Sequence, residues 1–248
     1  MKFAAKITLS VVVVSFVVVP LLVLSTFNSS KMVLQKSITK NYLEIAQQKM
    51  KSIDHALYIA YRDIQMLGED DFLQELLEPR EDGVKQSLSL LHSKLEKRAL
   101  FSGPWDSLTV IDNNGSILIS TDKDRIGKAV ETYPLSSVAY YQAMIGKTFY
   151  SDLVLPSRAS RPTVMFAAPI RSGQGSSTIN GVVLGHFAWP VVLQELAGIP
   201  PPAVVHLINN QAQVIAGQSG LADNSLKLNT AELDLTRRSM ASGVGGSA

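Results

Sequence analysis

Apolar and polar positions divide this chain into stretches of different period. "ITLSVVVVSFVVVPLLVLSTF", Ile7 to Phe27, carries no charge, and a run of about 20 such residues is long enough to cross a bilayer as a helix. Asn28 to Leu67 then has no proline or glycine. Within it Ala46, Met50, Ile53, Leu57, Ala60, Ile64 and Leu67 recur alternately four and three residues apart, the spacing of a heptad seam. Gly68 offers a stop. The pattern predicts one long helix with a stripe that must be buried, against a partner helix in a coiled-coil dimer or against the chain's own sheet. The two can coexist on different faces. Val84, Leu88, Leu91 and Leu95 mark a second amphipathic helix.

Shorter periods follow. "LTVIDNNGSILIST", Leu108 to Thr121, sets two apolar runs around Asn114-Gly115, which predicts a hairpin closed by a two-residue type I′ turn with positive φ at both central residues. Pro134 to Gly146 reads as a helix with its proline in the first turn. "TVMFAAPI" after Pro162 and "GVVLGHFAW" (Gly181 to Trp189) read as buried strands, joined by the turn-rich "RSGQGSSTIN". "VVLQELAG" reads as a short helix, and "IPPPA" as a stiff linker.

"VVHLINNQAQVIAG", Val204 to Gly217, has the build of the first hairpin. Ile111-Asp112-Asn113 aligns with Ile208-Asn209-Asn210, and Ile117-Leu118 with Val214-Ile215. A constant offset of about 97 residues points to two related modules in tandem.

Lys2 and Lys6 precede the apolar run, so the positive-inside rule places the N-terminus in the cytoplasm. The run ends in Val23-Leu24-Ser25-Thr26-Phe27 without an Ala-x-Ala-like site, which favours an uncleaved anchor over a signal peptide. The expected localisation is a bacterial inner membrane, crossed once, with the remainder periplasmic or extracellular.

The order of long helix, helix, hairpin, short helix, two long strands and short helix predicts an α+β fold, an antiparallel sheet with helices packed on it. This order resembles the double Cache family, the PAS-like extracytoplasmic sensors of bacterial transmembrane receptors. The resemblance is carried by the anchor with its long following helix, "VIDNNGSILIST", "FAAPI" and "GVVLGHFAW", and covers roughly 28–217. It implies residues 1–27 as cytoplasmic tip and anchor and 28–68 as the long extracytoplasmic helix. Residues 69–198 would form a membrane-distal ligand-binding module, and 199–248 the start of an incomplete proximal one with a disordered tail. Each hairpin would open the sheet of one module.

Amino-acid-binding members of that family carry an Arg two positions before a Trp, a Tyr-x-Asp, and an Asp in a late strand. By resemblance the Arg position falls on Val138, the Trp position on Tyr140, Tyr-x-Asp on Tyr150 and Asp152, and the late Asp on His186. A free amino acid needs a cation for its carboxylate and an anion for its ammonium, so amino-acid binding is not implied. The expected pocket lies between the middle helix and the two long strands. It would be lined by Tyr140, Tyr141, Tyr150, Asp152, Met165 and His186, with Arg158 and Arg161 available to pair a small anionic ligand. His186 also reads as a core histidine, Arg158 and Arg161 as solvated loop residues, and Trp105 and Trp189 as core.

Composition excludes other chemistries. Net charge is only +2, so nothing asks for nucleic acid. There is no cysteine, hence no disulfide, thiolate metal site or thiol nucleophile. His55, His92, His186 and His206 lack metal-ligand spacing. "DKDRIG" imitates a calcium loop, but Ile126 and Tyr133 replace oxygen ligands. Gly173-x-Gly175 runs into a strand, which disfavours a phosphate cradle. No catalytic group, metal or cofactor is expected. The sequence therefore reads as the ligand-sensing front end of a chemoreceptor, sensor kinase or cyclase, truncated before its output module and homodimeric through the long helix. The alternative is a membrane-anchored adaptor that dimerises and has an empty pocket.

Overall fold

The computed structural model describes residues 2–77, 92–97, 99, 103–154, 162–173, 176–199, 205–209, 211–217 and 230, with the side chains of 2–17, 19–20 and 76 excepted. The chain divides into two compact units, Met1–Gln48 with Asp234–Ala248, and Lys49–Leu233.

One helix, α1, runs over Lys2–Gly68. Among the described residues no helix is long and apolar enough to cross a membrane, and most of the Ile7 to Phe27 run lies among side chains that are not described. The Gly68 stop is where the sequence places it. A short helix that the pattern did not signal, α2 (Asp71–Leu77), follows at once. Asp70 Oδ1 starts it by accepting from the backbone N–H groups of Phe72 and Leu73, as an N-cap does. Residues 92–97 are helical and Leu95 is buried. Val84, Leu88 and Leu91 of the expected second amphipathic helix lie outside the described residues.

The sheet contains β1 (Trp105–Asp112), β2 (Ile117–Ser120), β3 (Phe149–Tyr150), β4 (Met165–Arg171) and β5 (Ile179–Phe187). Their order is β2-β1-β5-β4-β3, and all the strand pairs are antiparallel. Helix α3 (Pro134–Met144) separates β2 from β3, and α4 (Pro190–Ala197) follows β5. Pro134 and Pro190 each sit in the first helical turn, where a missing N–H costs nothing.

Alternation along the strands gives the sheet two buried faces. On one, Leu108, Val110, Phe166, Ala168, Val183 and Phe187 join Ile53, Ala60, Ile64 and Leu67 of α1 in a single core. From Ile53 to Leu67 the heptad stripe is thus buried against the chain's own sheet. Met50, by contrast, is 47% exposed. Trp105 and Trp189 are buried in this core, as expected. On the other face Ile111, Ala167, Val182 and Leu184 pack with Ala139, Tyr140 and Ala143 of α3.

The first hairpin corrects one expectation. Only Gly115 has positive φ (81°); Asn114 does not. Gly115 N–H donates to Asp112 O, Asp112 N–H donates to Ser116 O, and the register shifts between Val110 and Ile111. The loop is therefore a tight turn followed by a left-handed glycine, with the bulge that arrangement brings. Asp112 Oδ1 holds it by accepting from Asn114 and Ser116 N–H.

The second hairpin, β6 (His206–Ile208) with β7 (Val214–Gly217), repeats this atom for atom. Asn209 Oδ1 accepts from Gln211 and Gln213 N–H. Ala212 N–H donates to Asn209 O, Asn209 N–H donates to Gln213 O, and Ala212 takes the positive φ (62°). Even the crossing segment recurs, since Val130 N–H donates to Gly115 O and Thr230 N–H to Ala212 O. Residues 218–229 and 231–248 lie outside the described residues.

Candidate ligand site on the α3 face

Directly opposed residues in an antiparallel sheet share a face. His186 opposes Ser107 of β1 on one side and Met165 of β4 on the other. The next row holds Thr109, Leu184 and Ala167, which lies in the α3 core. The sheet thus brings His186 and Met165 together at one end of the face that α3 covers. Tyr140 packs into the same face, and its hydroxyl donates to Asp112 O at 3.1 Å. Burial first, and then the Asp112 carboxylate, push that phenol's pKa up.

The segment after β2 adds a residue that sequence reasoning missed. Asp122 caps a short 3-10 turn, Lys123–Arg125, through Asp124 N–H. Gly127, at φ 76°, then lets the chain fold back on β2, with Gly127 N–H donating to Ile117 O and Ile117 N–H to Lys128 O. This return carries Arg125 inward until only 8% of it is exposed. Its Nη2 donates to Ser136 Oγ at 2.9 Å, its Nη1 lies 3.4 Å from His186 Nε2, and its guanidinium lies 4.1 Å from the centroid of the Tyr133 ring. The buried Nε has no acceptor. Among the described residues no carboxylate pairs with it. The sequence signal was present, an Arg between a capping Asp and a glycine, but "DKDRIG" invites reading as a failed calcium loop.

His186 is partly exposed. Burial of the ring first, and the Arg125 charge second, bring its pKa down to about 4, so it is neutral at neutral pH.

The remaining expected residues fall elsewhere. Tyr141 is 54% exposed and donates to Glu131 Oε1 at 2.8 Å. That bond raises the tyrosine's pKa; a hydrogen bond from the Glu131 backbone first, and the tyrosine second, lower the carboxylate's. Tyr150 opposes Phe166, so it belongs to the α1 face, where its ring meets Tyr61 edge-on at 6.2 Å. Asp152 is exposed, and its carboxylate accepts from Leu153 N–H. Arg158 and Arg161 lie outside the described residues. Among the described residues no cluster of His, Asp or Glu could hold a metal.

No family model matches the chain, and no curated protein sequence does. Solved structures do. The sensor domain of the Vibrio cholerae histidine kinase DctB superposes with a TM-score of 0.61 at 15% identity, covering 82% of this chain and 74% of that one. The chain shares the fold of that domain. The ligand-binding domain of the Campylobacter jejuni chemoreceptor Tlp3, in complex with 4-methylisoleucine, gives 0.57 at 13% identity over 82% of this chain and 77% of that one. The ligand-binding domain of the Pseudomonas fluorescens chemoreceptor CtaA, in complex with L-isoleucine, gives 0.53 at 13% identity over 80% and 76%. The shared fold is the long-helix, antiparallel-sheet architecture expected from the Cache resemblance.

Proposed function

We propose that this chain is the extracytoplasmic ligand-sensing region of a membrane-anchored signal-transduction receptor, with no catalysis of its own. The observation that carries the reading is the polar cluster of Arg125, Ser136 and His186 at the end of the sheet face that α3 covers. A buried cation without a carboxylate partner is costly in a purely structural core, and it suits a place that receives a small polar ligand. The solved domains of like fold support the same reading, since two of them carry an amino acid or its analogue.

The ligand's effect would travel through α1, which packs on the opposite face of the same sheet. Ligand binding would favour one of two arrangements of that helix. The uncharged run at 7–27 would anchor it, with Lys2 and Lys6 on the cytoplasmic side. A homodimer would use not the buried stripe but the exposed residues of the same helix, Met50, Tyr58, Ile59 and Met66.

The test is a thermal-shift screen of the full chain in detergent against small polar metabolites. A specific ligand should raise the melting temperature by mass action, and Arg125→Gln should abolish the shift. A chain that cross-links as a dimer but shifts with no compound is an adaptor, not a sensor.

A further inference from the structure

A guanidinium stays protonated across the physiological range and can only donate. With Arg125 Nη1 3.4 Å from His186 Nε2, that nitrogen faces the arginine with its lone pair, and the ring proton sits on Nδ1. The residues opposed to His186 in the sheet are uncharged, Ser107 on β1 and Met165 on β4. Ser136 at the start of α3 and the Tyr133 ring engage the arginine itself. Arg125 is the charge that acts on His186, and among the described residues no carboxylate balances it. One positive charge is therefore held beside a base that is ready to become a second.

We propose that Arg125 and His186 together bind a small oxyanion, a carboxylate or its like, and that His186 takes up one proton from solvent as the anion binds. This deepens, and rests on, the reading of the α3 face as the ligand site. In the free protein the arginine repels a proton from Nε2. An anion seated against both groups reverses that field. Nε2 gains a proton and becomes a second donor to the ligand beside the guanidinium, giving two charge-assisted hydrogen bonds. Only the new N–H bond forms, and the anion is unchanged. Binding is then linked to proton uptake, and affinity rises as pH falls from neutral toward about 4.

The experiment is calorimetric titration of the full chain in detergent with propionate, ethanesulfonate and propionamide. Ethanesulfonate keeps its charge throughout the pH range, and propionamide is a neutral isostere. Titrations run at about pH 5 and about pH 8, each in two buffers of different ionisation heat. Both anions should bind, more tightly at the lower pH and with net proton uptake, while propionamide should not. Arg125→Gln should lose affinity by roughly ten- to hundredfold, whereas Lys147→Ala on the exposed surface should not. His186→Gln should retain binding but flatten its pH dependence. If Arg125→Gln fails to fold, the His186 titration followed by NMR in the unaltered chain decides, since ethanesulfonate should raise its pKa. Absence of anion binding, a pH-flat affinity, or equal binding of propionamide would each overturn the proposal. A neutral compound that shifts the melting temperature would do so while leaving the sensing role intact.

Discussion

Trp105 Nε1 donates a 2.7 Å hydrogen bond to Asp63 Oδ2, tying the first residue of β1 to α1. The indole is 4% exposed, and its six-membered ring lies over Gly185, where an added Cβ would come within 2.5 Å of it. One side chain thus holds the helix against the middle of the sheet.

Asp63→Ala should destabilise the fold by about 1.5–3 kcal/mol, because a hydrogen bond to a charged group is lost and a buried donor is stranded. Asp63→Asn keeps an acceptor and should lose less. Urea denaturation of the two variants checks the order.

Gly185→Ala should cost about 1–3 kcal/mol, since the methyl overlaps the Trp105 ring. Gly173→Ala is a control for backbone strain alone, because its φ is 99° but nothing lies near its added Cβ. A loss at Gly185 no larger than at Gly173 would show that the tryptophan yields.

The acid range should reveal His186. Its folded pKa of about 4 lies below the ordinary 6.5, so the unfolded chain takes up the proton first. Stability from this group is present above pH 6.5 and is lost as pH falls through the window down to about 4. The slope reaches at most about 1.4 kcal/mol per pH unit. His186→Gln should flatten that window in denaturation curves recorded as a function of pH.

The exposed side of α1 can be tested apart from its buried side. Ile59 is 46% exposed and Ile64 is fully buried. Ile64→Lys should unfold the domain, because an unpaired charge would enter the core. Ile59→Lys should leave stability within about 0.5 kcal/mol and reduce cross-linking of the full chain in membranes. Unchanged cross-linking would remove this face from the dimer.

Several features were legible in the chain because they are written in short range. The helix ending at Gly68, the strands in "TVMFAAPI" and "GVVLGHFAW", and α3 behind Pro134 follow from local periods and proline chemistry. The hairpin repeat was legible as well, because Asp112 and Asn209 each fold their own loop with one side-chain oxygen. The turn type was not, since Asn114-Gly115 suits two geometries and the ladder register chose between them.

The α1 stripe and the site mark where that legibility ends. A heptad of apolar residues determined that one side of α1 is buried, but burial is non-directional and does not name the partner. Packing against Val110, Phe166 and Val183 settled that for Ile53 to Leu67. Likewise the sequence set Tyr140, Tyr150 and His186 on an expected pocket, and strand pairing sorted them. His186 and Tyr140 went to the α3 face and Tyr150 to the α1 face, because successive residues of a strand point to opposite sides. Arg125 reaches His186 across 61 residues of chain. Only the folded sheet, with its return over β2, creates that neighbourhood, since no local period encodes a contact between a turn and a distant strand.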